Sequence, residues 1–193
     1  DVCYMLGASL ASAAHSLAGG LSTVYVPSTH HWSFLPVYGT SPLIDTRWSK
    51  AHLALRHDGC EATRLDKILY SLEHDEQLFL DNVYSCMRVR DDNMNCGGCF
   101  RCIRILCTLA VLGKLDRATR FAAPFPKYFE RRFIERRLGT ATPTLQSEYN
   151  FARDNYRLSA AHGHPDPRVR KFLERFMAKA ERELLRRRKA ELA

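Results

Sequence analysis

No apolar run in these 193 residues approaches the length needed to cross a bilayer, about 20 predominantly apolar residues for a helix. Nothing near the start has the order of a secretory leader, with basic, apolar and small-residue zones in succession. Internal repeats and low-complexity tracts are also missing, which argues against solenoids and linker-like chains. The cysteines do not come in pairs. There are seven, at positions 3, 60, 86, 96, 99, 102 and 107. An odd count with four members inside seventeen residues does not suit a secreted disulfide scaffold, so a reducing, cytoplasmic setting with no membrane contact is expected. The chain opens at Asp1 inside what reads as a helix, and a preceding N-terminal portion is expected.

What is present is a thiol cluster. Cys96-Gly97-Gly98-Cys99-Phe100-Arg101-Cys102 places three cysteines at two-residue spacers, with Cys86 ten positions upstream. Four thiolates satisfy a tetrahedral Zn²⁺, and closed sites of this type are structural rather than catalytic. The paired glycines free the backbone to turn amides towards sulfur, and Arg88, Arg101 and Arg104 could help to offset the negative charge. An iron–sulfur cluster is the competing reading. Against it, Cys107 comes one residue too late for the ferredoxin-like run and no proline follows. Between Leu106 and Leu109, Cys107 reads as a core thiol.

The net charge of +8 is uneven. Residues 1–116 carry ten Lys/Arg against twelve Asp/Glu, and residues 117–193 carry nineteen against nine. Such an asymmetry suits either a nucleic-acid surface or a solvated, Arg-rich helical exterior.

Periodicity predicts a helix from Val2 to Leu17, a stop at Gly19-Gly20, and a strand from Leu21 to Val26 ended by Pro27. Residues 32–48 read as loop and 49–56 as a short helix or strand. Thr63 to Leu72 reads as helix, Leu78 to Cys86 as extended, and Cys99 to about Gly113 as helix. Pro124 and Pro126 break the next stretch. Helices follow around Phe129, Phe133 and Ile134, and around Leu145, Tyr149, Ala152 and Tyr156. Residues 159–165 read as a linker, in which His162 and His164 are not expected to hold a metal. Asp166-Pro167 then caps a last helix striped by Val169, Phe172, Phe176, Ala180 and Leu184. The order helix–glycine–strand is that of an α/β layer, whose ligands bind at the C-terminal ends of strands.

Four segments carry a resemblance: Val26-Pro27-Ser28, Gly39-Thr40-Ser41-Pro42-Leu43-Ile44-Asp45, His57-Asp58-Gly59-Cys60-Glu61-Ala62-Thr63-Arg64, and Asn95 to Arg104 with its cysteines. In this order they resemble the C-terminal half of the PP-loop ATP pyrophosphatases related to 7-cyano-7-deazaguanine synthase, over about residues 1–116. The resemblance implies a Rossmann-like α/β domain (adenine nucleotide alpha hydrolase-like) with a structural zinc knuckle at 86–104, followed by a basic helical extension at 117–193. It implies ATP and Mg²⁺ as cofactors, a small-molecule substrate, and adenylation of a carboxylate or carbonyl for C–N bond formation. The Ser-Gly-Gly-x-Asp-Ser phosphate loop of that family does not occur in these residues and is expected upstream. If nothing precedes Asp1, ATP chemistry is not expected. Where the synthase carries a lysine after its Thr-Pro-Leu element, this chain has Trp48, which counts against the same substrate.

Outside the thiols, Ser28 and Thr29 at a strand end are candidates to touch nucleotide or substrate, or form an ordinary polar loop. Adjacent His30 and His31 should diverge rather than share a metal. Gly39, Thr40 and Ser41 could offer amides and hydroxyls to an anion, or make a simple turn. Asp45 is a further candidate, or a surface partner of Arg47. Asp58, Glu61 and Arg64 could meet a ligand or ATP-bound Mg²⁺, or mark a helix start with Asp58 or Thr63 as its cap. Two other functions remain open: a zinc-knuckle module whose basic helices grip nucleic-acid phosphates, and a non-catalytic remnant presenting residues 117–193 to a partner. A homodimer is compatible with either.

Overall fold

The computed structural model describes residues 2–86, 88, 94–122, 125, 129–162 and 166–192, with the side chains of residues 2–4 and 129 excepted. It is a mixed α/β chain, mostly helical, with one two-stranded parallel sheet. Two compact units divide between Lys67 and Ile68. The boundary expected near 116 therefore falls inside the second unit.

In the first unit, helix α1 (Val2–Ser16) leads into β1 (Thr23–Pro27), which pairs in parallel with β2 (Ala54–Asp58). The register runs from Thr23 opposite Ala54 to Pro27 opposite Asp58. Ala11 and Ala14 of α1 pack with Leu53 and Leu55. Leu53 just before β2, and Leu55 and His57 within it, alternate inward while Arg56 and Asp58 are exposed, the period of two that a half-covered strand requires. Gly7 lies so close to the Gly39 carbonyl that a Cβ there would collide with it. Within the expected 32–48 loop, Asp45–Trp48 forms one turn of 3₁₀ helix.

Helix α2 (Arg64–Asn82) begins where Thr63 acts as its cap. The Thr63 Oγ accepts from Asp66 N at 3.1 Å, and Thr63 N and Oγ donate to the Asp66 carboxylate at 2.8 and 2.7 Å, a reciprocal capping box. The helix runs well past Leu72, so residues 78–82 are helical where an extended segment was expected. The cause is Asp75, whose backbone leaves helical geometry (φ −155°, ψ 90°) while its Oδ1 accepts from Leu78 N at 2.9 Å. A second helical stretch is thus capped afresh inside the first.

The second unit contains α3 (Phe100–Val111), α4 (Phe129–Leu138), α5 (Thr142–His162) and α6 (Pro167–Glu191). Asp166 caps α6 as expected, accepting from Arg168 N at 2.9 Å. Residues 159–162, expected in a linker, continue α5. Ser159 is only 1% exposed and donates to Tyr156 O at 2.7 Å, so burial holds the last turn. Pro124, Pro126 and His164 lie outside the described residues.

Two apolar clusters share α3. Ile103, Cys107, Ala110 and Val111 face Phe133, Leu145, Phe172, Leu173 and Phe176. Leu106 and Leu109 face Leu72, Leu80, Phe121 and Phe151 on the other side. Nine of its twelve residues are buried, Arg104 and Thr108 among them. Their polar groups are satisfied in pairs. Arg104 makes a two-pronged bond to Glu148 at 2.9 and 2.5 Å, and Thr108 donates to Asn155 at 2.9 Å. Among the described residues, no helix is long and apolar enough to cross a membrane.

Candidate metal centre

Chain direction brings the thiols together. Cys86 follows α2. Cys96 opens a tight turn in which Gly97 takes φ +70°, a left-handed conformation that costs a side-chain-bearing residue about 1–2 kcal/mol. Cys99 then occupies the N-cap position of α3, and Cys102 lies in its first turn. The four Sγ atoms all lie within 4.8 Å of one another, with Cys99 to Cys102 at 3.3 Å and Cys96 to Cys102 at 3.9 Å. A tetrahedral ion with bonds of about 2.3 Å to sulfur holds its ligands about 3.8 Å apart, so the spacing fits. Cys86, Cys99 and Cys102 are buried and Cys96 half-buried.

Backbone amides turn towards the sulfurs, as the glycines suggested. Arg88 N and Cys96 N donate to Cys86 Sγ at 3.3 and 3.5 Å, and Cys99 N donates to Cys96 Sγ at 3.3 Å. Gly98 and Gly97 amides act likewise on Cys96 and Cys102. Without a cation these amides do not suffice. Burial pushes the Cys96 thiol up, and the bond from Cys99, followed by burial, pushes Cys102 up strongly. Crowded thiols that resist losing protons singly are what a bound cation converts to thiolates together. The cluster is able to hold a metal ion such as zinc. Of the arginines expected to help, Arg104 is committed to Glu148, and Arg88 contributes through its backbone amide.

Asn95 holds Cys86 in place. It is fully buried. Its Oδ1 accepts from Ser85 N and Cys86 N at 2.9 and 3.1 Å, while its Nδ2 donates to Val83 O and Arg120 O at 2.8 and 3.1 Å. Its own backbone exchanges bonds with Arg120 and Ala122. One side chain thus ties the first thiol's segment to the turn bearing the next two. Its position directly before Cys96 was the only sequence signal.

In the first unit, the C-terminal ends of β1 and β2 border a small polar cleft lined by Ser28, Thr29, Thr40, Ser41 and His57, among others. Ser28 is buried, and its hydroxyl donates to His30 O at 2.5 Å and contacts Cys60 Sγ at 3.1 Å. Its carbonyl accepts from Lys67 Nζ at 2.9 Å. Thr29 is exposed. Ser41 N donates to the Asp45 carboxylate at 3.2 Å, and Ser41 Oγ accepts from Leu43 N at 3.1 Å. Asp45 is not a surface partner of Arg47: it is 1% exposed and meets His57 Nδ1 at 2.6 Å. Gly39 turns its carbonyl to α1. Asp58 and Glu61 are exposed and Arg64 opens α2, and none of the three lines the cleft. His31 bonds Ser33 while His30 packs edge-on against Phe34 and Tyr38, so the two imidazoles diverge. His57 and Lys67 join the site without a sequence motif of their own, although the alternation Leu53, Leu55, His57 points the imidazole inward.

No family model matches this chain, and no curated protein or solved structure matches it significantly. What defines the site is therefore its own chemistry: four sulfurs in one pocket, at the start of a helix that two cores share.

Proposed function

We infer that this chain is the zinc-organised C-terminal part of an ATP-dependent enzyme of the PP-loop ATP pyrophosphatase type, one that adenylates a carboxylate or carbonyl to prepare C–N bond formation. The convergence of Cys86, Cys96, Cys99 and Cys102 carries the reading, because it is the feature the resemblance rests on most. Two further observations support it. Ser28 and Asp58 stand at the C-terminal ends of neighbouring parallel strands, where α/β enzymes bind ligands. Ten of the fifteen exposed large apolar side chains among the described residues, including Met5, Leu17, Tyr25 and Val37, belong to the first unit, as expected of a layer that packs against more of the same domain. In this reading the zinc is structural. Ser28, Thr29 and Ser41 line the substrate or nucleotide cleft.

Two measurements test it. Elemental analysis of the purified chain should find one zinc per chain, lost in Cys96→Ser and Cys99→Ser together with most of the soluble protein. Unchanged zinc in both variants removes the metal assignment. The chain expressed with the coding sequence that precedes Asp1 should release pyrophosphate from ATP. Zinc-loaded protein that releases none in the presence of cell-extract metabolites overturns the enzymatic reading.

A further inference from the structure

Most of the arginines in the basic C-terminal half are already paired. Arg168 bonds Asp166, Arg170 bonds Glu174, and Arg175 bonds Glu130. Arg186 and Arg187 together hold the Glu183 carboxyl down to about 2. Arg131 bonds Glu135. Two arginines on the same helix as Arg131 differ. Arg132 and Arg136, one turn apart on α4, are exposed and have no ion pair among the described residues.

They are not scattered. With Arg88 and Arg137 they line one cleft of ≈ 290 Å³, whose floor includes Gly98 and Phe100. No carboxylate lines it among the described residues, and Cys99 of the thiol cluster borders it. Arg137 shares the Glu148 carboxylate with Arg104, at a longer 3.5 Å, stacks over the Phe100 ring at 4.2 Å, and keeps a buried Nε without a hydrogen-bond partner. One carboxylate thus serves two guanidinium groups. Burial, with Arg104 and Arg136 close by, lowers the Arg137 pKa despite that carboxylate.

We propose that this cleft beside the thiol cluster is a phosphate-binding site, with Arg88, Arg132, Arg136 and Arg137 as its cationic wall. Planar guanidinium forks match phosphate oxygens in pairs, and ≈ 290 Å³ accommodates one phosphorylated unit rather than a bulk counterion layer. The shared chemistry is a phosphate ester, from either a nucleic-acid backbone or a small phosphorylated molecule. The proposal is independent of the ATP-dependent reading, since none of these residues belongs to the strand-end cleft.

The test uses the full chain and a fluorescently labelled single-stranded ten-mer of thymidine, followed by anisotropy across a salt series. The double variant Arg132→Ala with Arg136→Ala should bind at least tenfold more weakly. It should lower the salt slope by about 1.4, or 0.7 per lost phosphate contact on a single strand. Arg157→Ala with Arg188→Ala removes the same charge from exposed positions outside the cleft lining and should cost under threefold. Displacement of the ten-mer by inorganic phosphate, beyond that by chloride at equal ionic strength, would assign a discrete phosphoryl ligand. Displacement equal to chloride's would assign the strand backbone, and either result supports the site. Equal losses in the two double variants would reduce the effect to net charge and overturn the proposal. So would absence of binding by the unaltered chain. Loss of bound zinc in the cleft variant would overturn it too, because the arginines would then serve the sulfurs.

Discussion

At the scale of single residues, Asn95 matters most after the cysteines. Its carboxamide makes four hydrogen bonds inside a fully buried site. Replacement by leucine would strand two amides and two carbonyls, each costing about 1–3 kcal/mol when left unpaired. Asn95→Leu should therefore destabilise by at least ~3 kcal/mol in urea unfolding and release metal to a chromogenic chelator sooner than the parent. Asn95→Asp retains the acceptor for Ser85 and Cys86 and should lose less. Equal behaviour of Asn95→Leu and the parent would refute the tethering role. Cys107 offers a test through pH. Its thiol is buried, outside the metal cluster, and pushed well above the ordinary range by desolvation, then by Glu148 and Glu130. The folded-state value exceeds the unfolded one, so no stability is lost below the unfolded pKa near 8.5. Above it the unfolded chain ionises first and gains, by about 1.4 kcal/mol per pH unit from this group. Urea unfolding between pH 8 and 10 should show a shallower alkaline decline for Cys107→Ala than for the parent, whatever the offset from the lost packing. Parallel declines would show that the thiol does not stay protonated in the fold.

Helices and strands were legible where one period dominates. Helices α3, α4 and α6 follow their apolar stripes, and the Asp166-Pro167 start of α6 was readable because cap and first-turn proline are local signals. The failures have physical causes of the same size. In α2 the apolar pattern loses phase at Asp75, and a sequence reading stops there. The structure instead uses Asp75 as an internal cap and continues to Asn82. Asp75→Ala should cost about 1 kcal/mol, typical of a lost cap, and helical signal in circular dichroism should fall with it. An unaltered melting midpoint would place the kink's origin elsewhere. At the end of α5, Ser159 reads as a linker residue by type but is buried by tertiary packing. Similarly, the four thiols were legible from spacing alone, whereas the Asp45–His57 contact was not. Its partners are twelve positions apart on different elements, and only the strand's alternation hinted at one of them.

At the scale of the molecule, the sequence divides near 116, where acidic and basic halves meet, but the compact units divide at Lys67. Charge reports on surfaces, whereas the second unit is held across residue 116 by the faces that α3 buries. That helix presents Ile103, Ala110 and Val111 to the C-terminal helices, so the tail completes its core. A chain truncated after Asp116 would expose this face and should be recovered insoluble or without a cooperative thermal transition. A soluble, cooperatively melting 1–116 would show that the basic extension is an appendage.

The position of Cys99 and Cys102 on that same helix has a thermodynamic outcome. Any ion bound there is anchored directly to the rod around which both apolar clusters assemble, so occupancy and cohesion are linked functions. A chelating agent would act on the second unit as urea does, and growth conditions poor in metal would lower the amount of folded protein before they altered any chemistry it performs.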